Sequence, residues 1–308
     1  MGIKHILGYI RRSLEKSKNR WPLEKLIRVN NKGYELIMGY KYDWDRPVLF
    51  TEKLQWYKLN YISESQSIAV DKYLFKDYIL DRLGEGYTLP LFGAWKSIDE
   101  LKKDWDKLPQ EFVLKSTLQS DGKYIKIIHD KSSVDLKELS QEVSAWFNPK
   151  NTLINSFCRA YHNATPRVIA EEYMEQVDNQ LYDYKFFCFS GEPFCVYVAT
   201  DHFPGQLSHI SFYDLNWNKL DVRYGNHQNC DVDKPRHFSE MLDISKKLSI
   251  DYPFVRVDFF DTEAQLYVAE LTFYPGGGLT PYYPESFNRK LGDLFIIPNK
   301  VDNYEYKT

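Results

Sequence analysis

The chain has 308 residues, room for two or three packed lobes with a cleft between them, and its net charge of −3 gives no whole-chain attraction to nucleic acid. Its four cysteines, Cys158, Cys188, Cys195 and Cys230, form no CxxC pair and have no histidine at metal-ligand spacing, which argues against zinc. No apolar run approaches the roughly 20 residues that span a bilayer, and the N-terminus lacks a signal-peptide h-region, so a cytoplasmic location is expected.

In chain order, Ile3, Ile6, Leu7, Ile10 and Leu14 recur at helical spacing among Lys4, Arg11, Arg12, Lys16, Lys18 and Arg20, which predicts a basic amphipathic helix. Such a helix lies on an anionic membrane surface, at the inner face of the plasma membrane, or packs on its own protein or a partner. Residues 34–67 read as helix and loop, including TEKLQWYKLN at 51–60. Asp71 to Leu83 reads as a second amphipathic helix closed by Gly84. A short strand in LPLFGAW, a helix over 97–107, strands in EFVLKS and KYIKIIHD around Ser120-Asp121-Gly122, and a helix over 133–147 predict an α+β lobe. After Pro166 come the strand RVIAEEYM and a β-rich half containing YDYKFFCFSGEP, FCVYVATDH and HISFYDLNW, interrupted by a helix over 238–248. The 24 Tyr and 19 Phe suit such β-rich cores.

The last strand pair, FVRVDFF and LYVAELTF, carries the chemistry. Alternation puts Arg256 and Asp258 on one face, with Val255, Val257 and Phe259 on the other. Pairing 258 with 270 brings Glu270 and Thr272 onto the face of Asp258, and like charges that close need neutralising. Either the acids hold a divalent cation through hard oxygen ligands, or they lie on a solvated face compensated by Arg256. A metal nuclease usually wants a lysine two residues beyond the glutamate, and Thr272 stands there. Pro275-Gly276-Gly277-Gly278 follows, read either as a flexible loop or as a backbone cradle for an anion.

The order of EKLQW, DKY, LPLFGAW, FVLK, VIAEEYM, DYKFFCFSGEP, YPFVRVDFF and VAELTFYPGGG resembles the ATP-grasp enzymes. More narrowly it is similar to the TupA-like branch associated with teichuronopeptide and cell-surface polysaccharide synthesis. The resemblance covers roughly residues 50–297.

It implies an α+β, ATP-grasp fold whose two lobes hold ATP between antiparallel sheets, behind a mainly helical N-terminal segment. The expected divisions are residues 1–68 for that segment, 69–298 for the ATP-grasp domain, with a lid lobe near 108–174 and a metal and phosphate lobe near 175–298, and 299–308 as a tail. Lys72 and Lys115 would neutralise nucleotide phosphates. Glu171, Glu172, Tyr173 and Met174 would form the adenine-reading hinge, Asp178 would reach ribose, and Lys185 would face the phosphates. Asp258 and Glu270, with Thr272, would hold Mg²⁺, Arg256 would steady transferred charge, and Gly276, Gly277 and Gly278 would cradle the substrate.

The implied reaction is carboxylate–amine ligation through an acylphosphate, joining an amino acid or amine to an acidic sugar or glycan. A carbohydrate kinase and a non-catalytic nucleotide-binding scaffold are the alternatives. Two features depart from the family: the loop after FVLK keeps a single glycine, Gly122, and Thr272 stands where many of these ligases place asparagine.

Overall fold

The computed structural model describes residues 22–119, 124–149, 157–174, 182–200, 209–262 and 265–298. The basic segment 1–20, the Ser120-Asp121-Gly122 loop, Asp178 and the tail lie outside the described residues. Among the described residues no helix is long and apolar enough to cross a membrane. Helices α1 (Leu23–Met38), α2 (Phe50–Asn60), α3 (Glu64–Ala69) and α4 (Leu74–Leu83) come first, and Gly84 ends α4 at a positive φ of 88°.

Strands β1 (Leu91–Trp95), β2 (Phe112–Ser116), β3 (Ile125–Ile128) and β4 (Val168–Glu171) form an antiparallel sheet in the order β1-β4-β2-β3. Period-two alternation sorts its faces. Phe112, Leu114, Ile128, Val168 and Ala170 turn toward α5 (Ile98–Asp104) and α6 (Leu136–Ser144), making one core with Trp95, Leu101, Trp105, Leu139, Val143 and Trp146. Both helices begin at capping side chains: Ser97 accepts from Glu100 N at 3.3 Å, and Asp135 accepts from Lys137 N at 2.7 Å. Leu139 and Val143, one turn apart, aim the buried face of α6 at the sheet.

The larger sheet has the order β11-β10-β5-β6-β7-β8, built from β5 (Asp183–Phe189), β6 (Glu192–Thr200), β7 (His209–Tyr213), β8 (Lys219–Leu220), β10 (Val255–Asp261) and β11 (Leu266–Thr272). Ser190 and Gly191, at φ of 49° and 89°, make the tight turn between β5 and β6. One face, with Phe186, Val257 and Phe259, packs under α7 (Phe238–Ser249). The other face is covered in part by α2 and by α8 (Glu285–Leu294), with Phe50 against Phe187 and Phe212 against Phe287. A short ladder joins β9 (Arg223–Tyr224) to β12 (Tyr282–Tyr283).

Two expected boundaries move. The small sheet starts at β1, upstream of residue 108, because β1 supplies the edge that pairs with β4. Nor is α2 a separate N-terminal segment, since Phe50, Leu54 and Tyr57 belong to the core of the larger sheet.

Candidate active site

The register across the larger sheet places Asp258 opposite Glu270 on one side and Lys185 on the other, and Lys185 opposite Tyr197. Directly paired residues share a face, so Glu270, Asp258, Lys185 and Tyr197 form one polar row. Arg256 pairs with Thr272 in the adjoining row. A bulge just beyond Asp258 shifts the pairing, leaving the row intact and pairing Phe259 with Val268.

Asp258 is completely buried and so does not lie on a solvated face. Arg256 Nε donates to its Oδ1 at 2.7 Å, Arg256 Nη2 and Lys185 Nζ reach its Oδ2, the lysine at 2.8 Å, and Lys185 also pairs with Asp183. Arg256 Nη1 donates to Tyr197 Oη at 2.9 Å and Nη2 to Thr272 Oγ1 at 3.0 Å. Thr272 in turn donates to Glu270 Oε1 at 2.9 Å. Burial pushes Asp258 up to about 6 against the pull of Arg256 and Lys185, so it is ionised at neutral pH. Burial also acts on Glu270, but Lys185, Lys72 and Arg256 outweigh it and hold its carboxyl at about 2.

A second charged cluster faces this row from the small sheet. Glu171, at the end of β4, is buried between Lys115, at 2.8 Å, and Lys76 of α4. Lys72, four residues before Lys76, donates to Gln119 O. Burial lowers its proton affinity, against the pull of Glu270. A cavity of about 50 Å³ lies between Lys72, Lys76, Lys115 and Glu171 on one side and Phe260, Val268 and Ala269 of the hairpin on the other. On the same sheet face as Lys115, the apolar Ile125 and Ile127 are 43% and 48% exposed. Lysines beside an open apolar sheet face suit a ligand that joins a flat apolar ring to phosphates.

The four residues expected to form the hinge differ in their surroundings. Glu171 points its carboxylate inward to the lysines, whereas Glu172 is exposed and uses its backbone N–H on Pro90 O at 3.0 Å. Tyr173 sits edge-on to His129, with ring centroids 4.9 Å apart, and Met174 follows half-buried.

Pro275–Gly278 is a packed turn, which settles against the flexible-loop alternative. Gly276, Gly277 and Gly278 adopt left-handed φ of 57°, 63° and 67°, where a side chain is strained. Gln55 Nε2 donates to Gly278 O at 2.7 Å and Gly277 O at 3.2 Å, and Lys58 Nζ donates to Gly277 O at 2.8 Å. A Cβ at Gly278 would run into Gln55 and Leu54 of α2. The sequence reading missed Gln55, Lys58, Lys76, Asp183 and Tyr197. Helical spacing carried part of the signal, with Gln55 three residues before Lys58 and Lys72 four before Lys76.

The donor set also bears on a metal. Among the described residues no cluster of three or more His, Cys, Asp or Glu side chains suits an ion. A two-carboxylate site suits Mg²⁺, which keeps several waters and is completed by phosphate oxygens. Glu270 fits, its side chain being 41% exposed, whereas Asp258 is buried with both oxygens bonded to Arg256 and Lys185 and would share an ion only by giving up one of these bonds. Thr272 is engaged with Arg256 and Glu270, and so supports the acids.

The sequence pattern of the family described as TupA-like ATP-grasp matches residues 52–296. No curated protein matches the chain. Similar solved structures include a D-alanine–D-alanine ligase from Bacillus anthracis, at 18% identity and a TM-score of 0.41, covering 72% of this chain and 64% of that one. The Bacillus anthracis ligase complexed with ATP is 20% identical, with a TM-score of 0.45 and coverage of 75% and 66%. Phosphoribosylamine–glycine ligase from Thermotoga maritima is 14% identical, with a TM-score of 0.38 and coverage of 68% and 48%. The chain thus spans less than two thirds of the length of the first of these ligases.

Proposed function

The chain belongs to the TupA-like ATP-grasp family, and on that premise we propose that it is an ATP- and Mg²⁺-dependent carboxylate–amine ligase of cell-surface polysaccharide synthesis. The amine is that of an amino acid or similar small molecule, and the carboxylate that of a uronic-acid type sugar or glycan. The observation that carries this reading is the polar row Glu270, Asp258 and Lys185, braced by Arg256, on the hairpin whose Phe260, Val268 and Ala269 share a cavity with Lys72, Lys76 and Lys115.

Asp258 and Glu270 would hold Mg²⁺, which when bound supplies charge neutralisation on the ATP phosphates. Lys72 and Lys115 draw the polyphosphate to the cleft between the sheets, and Ile125 and Ile127 offer the base an apolar surface. The substrate carboxylate attacks the γ-phosphorus, ADP leaves, and the amine then displaces phosphate from the acylphosphate to give the amide. Arg256 and Lys185 keep Asp258 ionised through the cycle, and Arg256 stands ready to offset the oxyanion of the second step.

The test is an ADP-release screen of amino acids against acidic sugars, with the product weighed by mass spectrometry. An amide product whose formation stops with Glu270→Gln supports the ligase. A stable phosphosugar would point instead to a carbohydrate kinase on the same fold. Normal ATP binding with no ADP release in any combination would leave a nucleotide-binding scaffold.

A further inference from the structure

Three lysines, Lys72, Lys76 and Lys115, line the cavity between the small sheet and the hairpin, and they are held differently. Lys76 and Lys115 share the carboxylate of Glu171. Among the described residues Lys72 has no carboxylate at ion-pair distance, and its ammonium is tied to a backbone carbonyl, that of Gln119. Where Lys72 stands therefore depends on what grips its backbone.

That grip comes from Arg167, the residue just before β4. Asp71 is fully buried; its Oδ2 accepts from Arg167 Nη1 at 3.0 Å, and its Oδ1 accepts from Tyr73 N at 3.0 Å. The guanidinium also lies over the Tyr73 ring, 4.9 Å from its centroid. Both chain neighbours of Lys72 thus meet the same side chain. The backbone closes the arrangement: Arg167 O accepts from Thr117 N at 3.0 Å, Thr117 Oγ1 accepts from Arg167 N at 3.2 Å, and Lys72 N donates to Thr117 O at 3.4 Å. Thr117 follows β2 directly, so the end of the small sheet and the start of α4 are fastened together around Lys72. A buried ion pair gains little stability over apolar side chains of similar size, because desolvation offsets the attraction. Its directionality is what apolar packing would not reproduce.

We propose that Arg167 is a positioning residue for nucleotide binding: through Asp71, Tyr73 and Thr117 it fixes Lys72 at the cavity, where the lysine meets the phosphates. This rests on the nucleotide reading, because it says how one of the phosphate-binding lysines is held. Arg167 itself touches no nucleotide in this account and acts through Lys72.

The test is a double-mutant cycle read by calorimetric titration of the full chain with ATP and Mg²⁺, using wild type, Arg167→Met, Lys72→Met and the two together. The expected result is that Arg167→Met weakens ATP binding about tenfold in the wild-type background and by less than about twofold in the Lys72→Met background. A merely structural arginine would weaken binding equally in both, and that outcome, or unchanged affinity in Arg167→Met, overturns the proposal. Lys72→Met that binds ATP as tightly as wild type also overturns it, while leaving the nucleotide reading, which stands on Asp258 and Glu270, intact. No ATP binding by wild type overturns both. Should Arg167→Met lose the wild-type circular dichroism, Asp71→Asn with Arg167→Met takes its place in the cycle, since it buries no lone charge and keeps an acceptor for Tyr73 N. If that protein too fails to fold, Arg167 is a structural residue and the proposal is overturned.

Discussion

Asp258 has no water to share its charge and depends on Arg256 and Lys185, whereas Glu270, opposite it, is partly open to solvent. The two acids therefore differ as targets. Asp258→Ala leaves buried Arg256 without its closest anion and Lys185 with Asp183 alone, and should destabilise by about 3–5 kcal/mol. Glu270→Gln removes a partly exposed charge and should cost about 1 kcal/mol or less. Urea unfolding of both variants checks this, and equal losses would contradict it. A loss of activity in Asp258→Ala thus mixes folding with chemistry, and Glu270→Gln is the cleaner probe of the site.

Lys58 supplies a pH test at the same scale. Its amine falls from 10.5 to about 8 through burial. Between those values the unfolded chain binds the extra proton, so native stability gains as pH rises. Measured by urea unfolding, wild type should gain stability relative to Lys58→Gln between about pH 7 and pH 10, by an amount on the order of 3 kcal/mol. A free-energy difference between the two proteins that stays constant across that range would contradict it.

At the scale of elements, α2 shows what a sequence conceals. Phe50, Leu54 and Tyr57 form one helical stripe and enter the core, while Thr51, Gln55 and Lys58 form a neighbouring stripe that is also buried. Polar residues on that second stripe imitate a solvent face, but Gln55 and Lys58 bond the carbonyls of the glycine turn and Thr51 bonds Tyr34 and Asn288. The acidic hairpin was legible because parity is conserved along a strand: alternation, with 258 assumed opposite 270, placed Arg256, Asp258, Glu270 and Thr272 on one face, and that is the register found. The glycine run was half legible. Its conformational need could be read, but its partner, more than 200 residues away in the chain, could not. Gly278→Ala should destabilise by about 1–3 kcal/mol, since the new Cβ adds a clash with α2 to the strain of a positive φ. Gly277→Ala, with open space around it, should cost about 1–2 kcal/mol from the backbone alone. Chemical denaturation of the pair gives the order, and a larger loss at Gly277 would contradict it.

At the scale of the whole molecule, two separate apolar cores underlie the two sheets, and the candidate site lies beside the cavity lined by residues of both. Composition and strand patterning showed an α+β chain with a β-rich second half. They did not show that β1 crosses to the edge of the small sheet, because pairing partners are set by tertiary packing and not by local pattern. Separate cores predict separable stability. Leu139→Ala, in the core of the small sheet, should cost about 2–5 kcal/mol. Hydrogen exchange should then quicken across residues 91–147 and stay slow in β5 and β10, whereas uniform quickening would show a single cooperative unit.

The central claim is that Asp258 and Glu270 form a site for a metal-bound nucleotide. Calorimetric titration of ATP into the wild-type chain and into Glu270→Gln, each with Mg²⁺ and with EDTA, addresses it most directly. The structure predicts that wild type binds ATP at least tenfold more tightly with Mg²⁺, and that Glu270→Gln loses this gain while remaining folded. Equal ATP affinity with and without Mg²⁺ in wild type, or an undiminished Mg²⁺ gain in Glu270→Gln, would contradict it.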